Sequence, residues 1–301
     1  YEEDGSGYTP RMNVFTQDKE REVVIHAYRM EGEQKEKIGE FCLWSTAVEA
    51  VLAEEKTDGE YLFEIQKDMT VKGALTIPEG IRSLTVVGAS DGTEPVEIRI
   101  KQDADGIITA GCDLYFENIS IVNTNKQKNL ETLTLDANGY TLALGNKVTF
   151  DRPLLLKGSN GTLQIKGQIL TAGVENWFRG TISGFARVEF DESLSLSAYS
   201  LTTGLREGGT LTAEIVEQNA DVKVEEGVIV TEYTQKEGTT LTIGIPESAA
   251  DAVIGSYYAY EGSSCEVTGK FTSGKKVELY GEEEEGKGVF VKAGQIAFQE
   301  V

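Results

Sequence analysis

The chain has 301 residues, 40% of them hydrophobic, and carries 28 basic side chains against 50 acidic ones, a formal net charge of −22. Such a surface repels phosphate backbones and anionic lipid heads, which argues against nucleic acid or a membrane surface as partner. Polyanions such as polygalacturonate are disfavoured too, unless a cation or a basic patch intervenes.

Cys42, Cys112 and Cys265 fit no zinc spacing and no disulfide framework, and read as buried free thiols. No run approaches the roughly 18 apolar residues of a membrane span. Tyr1 in place of an initiating Met reads as a processed or excised chain, so a missing leader peptide carries no information.

Residues 1–20 are polar without an apolar period and read as a flexible leader. REVVIHAYRM and IGEFCL flank a charged turn and predict a β-hairpin over 21–43. Residues 45–56 (STAVEAVLAEEK) predict an amphipathic helix, with Thr46 and Glu49 as a capping box and Ala47, Val48, Val51 and Leu52 on one face. Placed ahead of a strand repeat, it is expected to cap the open first coil.

From residue 60 a repeat begins. Leu75, Ile98, Ile119, Leu142 and Leu163 are each followed two residues later by another apolar residue, at steps of 23, 21, 23 and 21. A strand with one buried face that returns about every 22 residues lies in the range of solenoids. A second series through Phe63, Leu84, Ile107, Leu133 and Leu154 gives each turn at least two strands, with an insertion near 123–131. Asn138-Gly139 and Asn160-Gly161 supply left-handed corner conformations. Asn-Gly also marks hairpins, but the fixed return favours a coil over a meander.

After 167 the rhythm loosens. The aromatic groups Trp177-Phe178 and Tyr257-Tyr258-Tyr260 fall in stretches that read as loops, and VFVKAGQIAF (289–298) reads as a hairpin turning at Ala293-Gly294. Whether 231–301 continues the coil, caps it or forms its own β-domain stays open.

WSTAVEAV (44–51), YLFEIQKDMTVKGALTIPEGIRSLTVVG (61–88) and LTLDANGYTLALGNKVTF (133–150) resemble secreted right-handed parallel β-helix proteins of the pectin-lyase-like fold, above all the non-enzymatic, adhesin-like surface proteins of bacteria. GCDLYFENISIVN (111–123) resembles the rung that carries a stacked asparagine, here Asn118 or Asn123. The resemblance covers 44–170 well and 171–230 loosely. It implies an architecture and an extracellular or cell-surface location. Activity does not follow, because one fold carries lyases, hydrolases, tail spikes and adhesins.

Enzymes of this fold need carboxylates from adjacent coils, for calcium or for acid–base work on a glycosidic bond. In the register above, the outward rows are Thr76, Arg99, Ser120, Ala143, Gln164 and Glu64, Thr85, Ile108, Thr134, Leu155, and neither stacks carboxylates. The outward Ile108 and Leu155 imply that something packs on that side. Asp103, Asp105, Asp113 and Glu117 lack the glycine and terminal Glu of a calcium loop, and Arg187, Glu189 and Asp191 read as a paired, solvated strand face. His26 lies far from any nucleophile.

The sequence therefore predicts an all-β, right-handed, single-stranded parallel β-helix of about 22 residues per coil, in segments 1–43, 44–230 and 231–301. No catalytic residue, metal or cofactor is expected. The expected role is adhesion through a glycan or a cell-surface protein, with Trp177, Phe178, Tyr257, Tyr258 and Tyr260 as ligand-binding candidates. The alternatives are a polysaccharide lyase or glycoside hydrolase, and a structural stalk.

Overall fold

A computed structural model describes residues 22–71, 75–89, 94–100, 107–124, 132–171, 178–200, 206–281 and 288–298. The chain is a parallel β-solenoid whose turns lie about 24 residues apart. Three parallel ladders run along it.

On the first face, Tyr61, Leu84, Leu114, Leu142, Leu163, Val188, Val216, Tyr233 and Tyr257 stack strand upon strand and point inward, all essentially buried. Two residues on, Phe63, Val86, Phe116, Leu144, Ile165 and Phe190 form a second inward row on that face. The second face stacks Ile98 on Ile121 and, further along, Leu196, Val224, Ile243 and Val267. The third stacks Ile108, Leu135, Leu156, Ile182, Leu211, Val228, Ala252 and Phe271. Each buried aliphatic or aromatic side chain stabilises the coil by about 1.5–3 kcal/mol, and each touches mainly the turns above and below it.

The ladder read from the sequence is corrected in register. Leu142 does stack on Leu163, but Ile98 and Ile119 belong to the second face, where Ile98 stacks on Ile121. An apolar-x-apolar triplet looks the same on all three faces, so counting between triplets stepped from one face to another. The same slip misplaced Ile108, which is buried, while its neighbour Ile107 is exposed.

The hairpin forms as expected. Ile25–Glu31 pairs antiparallel with Gln34–Phe41 and, along its other edge, with the first solenoid strand Glu60–Ile65. It therefore covers the backbone edge that the helix was expected to protect. The helix spans Trp44–Leu52 and buries Trp44, Ala47, Val48 and Val51. Trp44 packs edge-on against Phe63 and donates its indole N–H to the Thr76 carbonyl at 2.7 Å. No capping box forms: Thr46 follows Trp44 inside the helix, and its hydroxyl donates to the Leu43 carbonyl at 2.9 Å.

Residues after 230 continue the coil. Gly227–Gln235, Asp251–Ala259 and Ser264–Leu279 extend the first and third ladders. The expected hairpin at 289–298 is instead one strand, Phe290–Phe298, parallel to Ser264–Leu279. Leu279 and Ile296 prolong inward rows yet are 48% and 46% exposed, since no described strand lies beyond them.

Corners are tight. Asn138 and Gly139 take φ of 50° and 86°, and Asn160 takes 67°, so these Asn-Gly pairs turn coils and not hairpins. At Gly180 a Cβ would lie 2.0 Å from the Leu154 carbonyl oxygen, so only glycine lets these turns stack there. Asn118 sits buried at a left-handed bend and donates its side-chain amide to the Gly88 carbonyl at 2.9 Å.

Candidate functional site

Directly after the Gln235, Ala259 and Leu279 positions the chain leaves the first face at a corner. Lys236, Tyr260 and Tyr280 occupy it on successive turns, and the Tyr260 and Tyr280 backbone amides donate to the Gln235 and Ala259 carbonyls at 3.1 and 2.8 Å. The two tyrosine rings stack with centroids 4.9 Å apart and planes 18° from parallel. The Lys236 ammonium lies 5.7 Å from the Tyr260 ring centroid, within cation–π reach. Tyr280 donates its hydroxyl to Glu278 at 2.5 Å, and that hydrogen bond leads the effects that raise its pKa. Together with Glu237 and Glu261, these side chains line a concavity of about 670 Å³.

The aromatic candidates from the sequence separate here. Trp177 lies outside the described residues, and Phe178 is the first residue of the strand Phe178–Phe190. The Tyr257-to-Tyr260 stretch is not a loop: Asp251–Ala259 is a strand, so its side chains alternate. Tyr257 is therefore withdrawn as a ligand-binding residue, because it points inward, is fully buried and packs against Phe271 at 5.5 Å. Tyr258 points outward with the Lys276 ammonium 5.8 Å from its ring. Tyr260 lines the corner concavity, alone among the candidates whose side chains are described. Tyr280 and Lys236 were missed; the signal available was the return of Tyr260 twenty residues later as Tyr280, close to one turn.

A second surface runs along the outside of the second face. There Glu97, Ser120, Thr149 and Leu170 lie side by side on successive strands, and further along so do Ser195, Lys223 and Thr242. Two concavities of about 510 and 460 Å³ follow these rows and share Gln168. At the first of them Arg99 joins two carboxylates, Glu97 at 2.6 Å and Asp68 at 3.2 Å, while the Glu97 amide donates to Asp68 at 3.0 Å.

Carboxylates do stack on the first face, contrary to the rows read from the sequence. Glu189 and Glu217 are direct neighbours on adjacent strands, bridged by Arg187 at 2.5 and 2.7 Å. Gln164 also donates to Glu189 at 2.8 Å. Burial works against ionisation of Glu189, but the hydrogen bonds from Arg187 and Gln164 outweigh it and hold the carboxyl below its usual range. The expected pairing of Arg187 with Glu189 is thus present.

Of the acidic group weighed for calcium, Asp103 and Asp105 lie outside the described residues, Asp113 accepts the Thr141 amide at 2.8 Å and Glu117 the Tyr115 hydroxyl at 2.9 Å. Among the described residues no cluster of three or more His, Cys, Asp or Glu is arranged to hold a metal ion. His26 sits on the N-terminal hairpin, 3.6 Å from Glu40.

Comparison with protein-family models, with curated protein sequences and with solved structures gives no match. The class defined by the fold is the parallel β-solenoid.

Proposed function

We propose that this chain is a non-catalytic recognition module, secreted or displayed at a bacterial cell surface like the pectin-lyase-like adhesins its sequence resembles, and that it binds a glycan at the Lys236–Tyr260–Tyr280 corner. The observation that carries this reading is the stacked tyrosine pair lining an open concavity. An aromatic face packs on the C–H face of a sugar, and Glu237, Glu261 and Lys236 supply hydrogen-bond partners for hydroxyls. Nucleic acid and anionic lipid remain poor partners on grounds of charge.

The test is a glycan microarray with wild type, Tyr260→Ala and Tyr280→Ala. The expected result is a reproducible hit that both variants weaken. No hit, or a hit indifferent to both variants, contradicts the proposal; if cell-surface proteins also fail to bind, the structural stalk takes its place.

One observation favours a second reading, cleavage of a polysaccharide: Asp68 and Glu97 line the second-face concavity, and Arg99 bonds to both. Against it, both carboxylates are engaged by the one guanidinium. Release of new reducing ends or unsaturated products, lost in Arg99→Ala, would establish this reading in place of the first.

A further inference from the structure

We infer that the Lys236–Tyr260–Tyr280 corner selects an amino sugar, one that presents a free ammonium, over neutral and anionic sugars. This rests on the recognition reading of that corner and names the ligand class it takes.

The order of the column comes first. Lys236, Tyr260 and Tyr280 lie on successive turns, so Tyr260 has the Lys236 ammonium on the turn before it, 5.7 Å from its ring centroid, and the Tyr280 ring on the turn after it, at 4.9 Å. Tyr260 thus has a neighbour on each side, and the open platform is Tyr280, which is 45% exposed. Lys236 also shows what such a ring holds, since the negative face of a phenol attracts an ammonium. The same pairing recurs at Tyr258, with the Lys276 ammonium 5.8 Å from its centroid. A sugar stacked on Tyr280 presents C–H bonds to the ring. An ammonium on that sugar makes those hydrogens more positive, so the ring favours the charged form.

The neighbouring column supplies the counter-charge. Directly after Lys236, Tyr260 and Tyr280 come Glu237, Glu261 and Gly281, which line the same concavity of about 670 Å³. Two carboxylates on adjacent turns are followed by a position without a side chain. That position leaves room for a substituent of a sugar seated on Tyr280.

These two carboxylates also depart from a pattern. Elsewhere on the surface an arginine joins carboxylates that lie together: Arg99 for Asp68 and Glu97, Arg187 for Glu189 and Glu217, Arg206 for Glu225 and Glu226. Among the described residues no guanidinium or ammonium pairs with Glu237 or Glu261, because Lys236 is engaged with the Tyr260 ring and Lys276 with Glu278. A ligand ammonium supplies at the corner what the arginines supply at those three places. An anionic sugar instead meets two carboxylates on a chain of net charge −22.

The experiment is calorimetric titration of the full chain with three disaccharides that share a β-1,4-linked backbone and differ at C2, those of glucosamine, N-acetylglucosamine and glucose. Affinity for the glucosamine form should exceed that for the other two by about ten-fold or more, and the gap should narrow as salt rises. Glu237→Gln and Glu261→Gln should each narrow it about three-fold at an unchanged thermal midpoint. Glu49→Gln, which removes the same charge from the helix at the other end of the solenoid, should leave it alone.

Equal affinity for the three sugars, or preference for a neutral one, overturns the ammonium inference and leaves glycan recognition at the corner standing. A preference that Glu49→Gln reduces as much as Glu261→Gln also overturns it, as bulk attraction to an anionic chain. So does a preference kept in full by Tyr280→Ala, which places the ammonium elsewhere. Binding of none of the three sugars overturns it too, and the glycan microarray then decides the recognition reading separately.

Discussion

Tyr233 donates its hydroxyl to Gln218 Oε1 at 2.8 Å, with both side chains fully buried in the solenoid interior. One turn on, Tyr257 makes the same bond to Gln235. The two glutamines occupy the row that Phe63, Val86, Phe116, Leu144, Ile165 and Phe190 fill earlier in the chain. Their amide groups are satisfied as well: Gln218 donates to the Ala220 and Thr240 carbonyls at 2.8 Å, and Gln235 to Thr239 at 2.7 Å and Ser264 at 2.8 Å.

A buried polar pair that is complete costs little, whereas half of one is expensive. Tyr233→Phe leaves the Gln218 carbonyl oxygen without that donor and should lower unfolding stability by about 1–3 kcal/mol. Gln218→Met strips the donor from the Ala220 and Thr240 carbonyls as well and should cost more, but the double variant should lose less than the sum of the two single ones. Urea titrations of the two single variants and the double variant give the coupling, and strict additivity would show that the pair does not act as a unit.

The thiols should divide by burial. Cys112 and Cys265 are fully buried, and burial leads in pushing both thiols up to about 12. Thiolate is the reactive form, so neither should be alkylated by iodoacetamide at pH 8 in the native protein, and both should be alkylated in denaturant. Peptide mass spectrometry reads this directly. Native labelling of Cys265 would mean that the C-terminal coils open readily.

Acid should loosen particular joints between coils. Burial opposes ionisation of Asp136, but hydrogen bonds from the Asn138 amide, Lys157 and Ser159 prevail and hold its pKa below the ordinary value, as those of Arg187 and Gln164 do for Glu189. A carboxyl with a lowered folded pKa contributes stability that is present above the unfolded value, roughly 4, and is lost as pH falls through the folded one. The thermal midpoint should therefore fall below about pH 4, and Asp136→Asn should flatten that fall. An unchanged acid limb in Asp136→Asn would remove this carboxylate from the account of acid stability.

Tyr257 and Tyr260, three residues apart, should behave in opposite ways. Tyr257→Ala empties a fully packed core position and should cost about 3–5 kcal/mol. Tyr260→Ala removes a surface ring and should leave the urea midpoint close to wild type. Equal losses of stability would contradict the strand assignment of Asp251–Ala259.

The same pair explains what the sequence made legible. Alternating apolar residues and Asn-Gly corners announced stacked strands, since a solenoid's period, buried face and turns are all local patterns. Register was harder to read. Nothing local distinguishes the Ile98 triplet from the Leu142 triplet, although they lie on different faces.

Long strands such as Ser264–Leu279 serve all three faces in succession and hide the corners between them. The candidate site was less legible still, because the corner gathers Lys236, Tyr260 and Tyr280 from three turns, and only the correct register shows that they meet. The stacking of Glu217 on Glu189 escaped notice for the same reason.

The most direct measurement is calorimetric titration of the strongest glycan hit into wild type and into Tyr280→Ala, with the thermal midpoint of each recorded alongside. The expected result is a loss of affinity of about ten-fold or more in Tyr280→Ala at an unchanged midpoint. Equal affinity in the two proteins would contradict recognition at this corner.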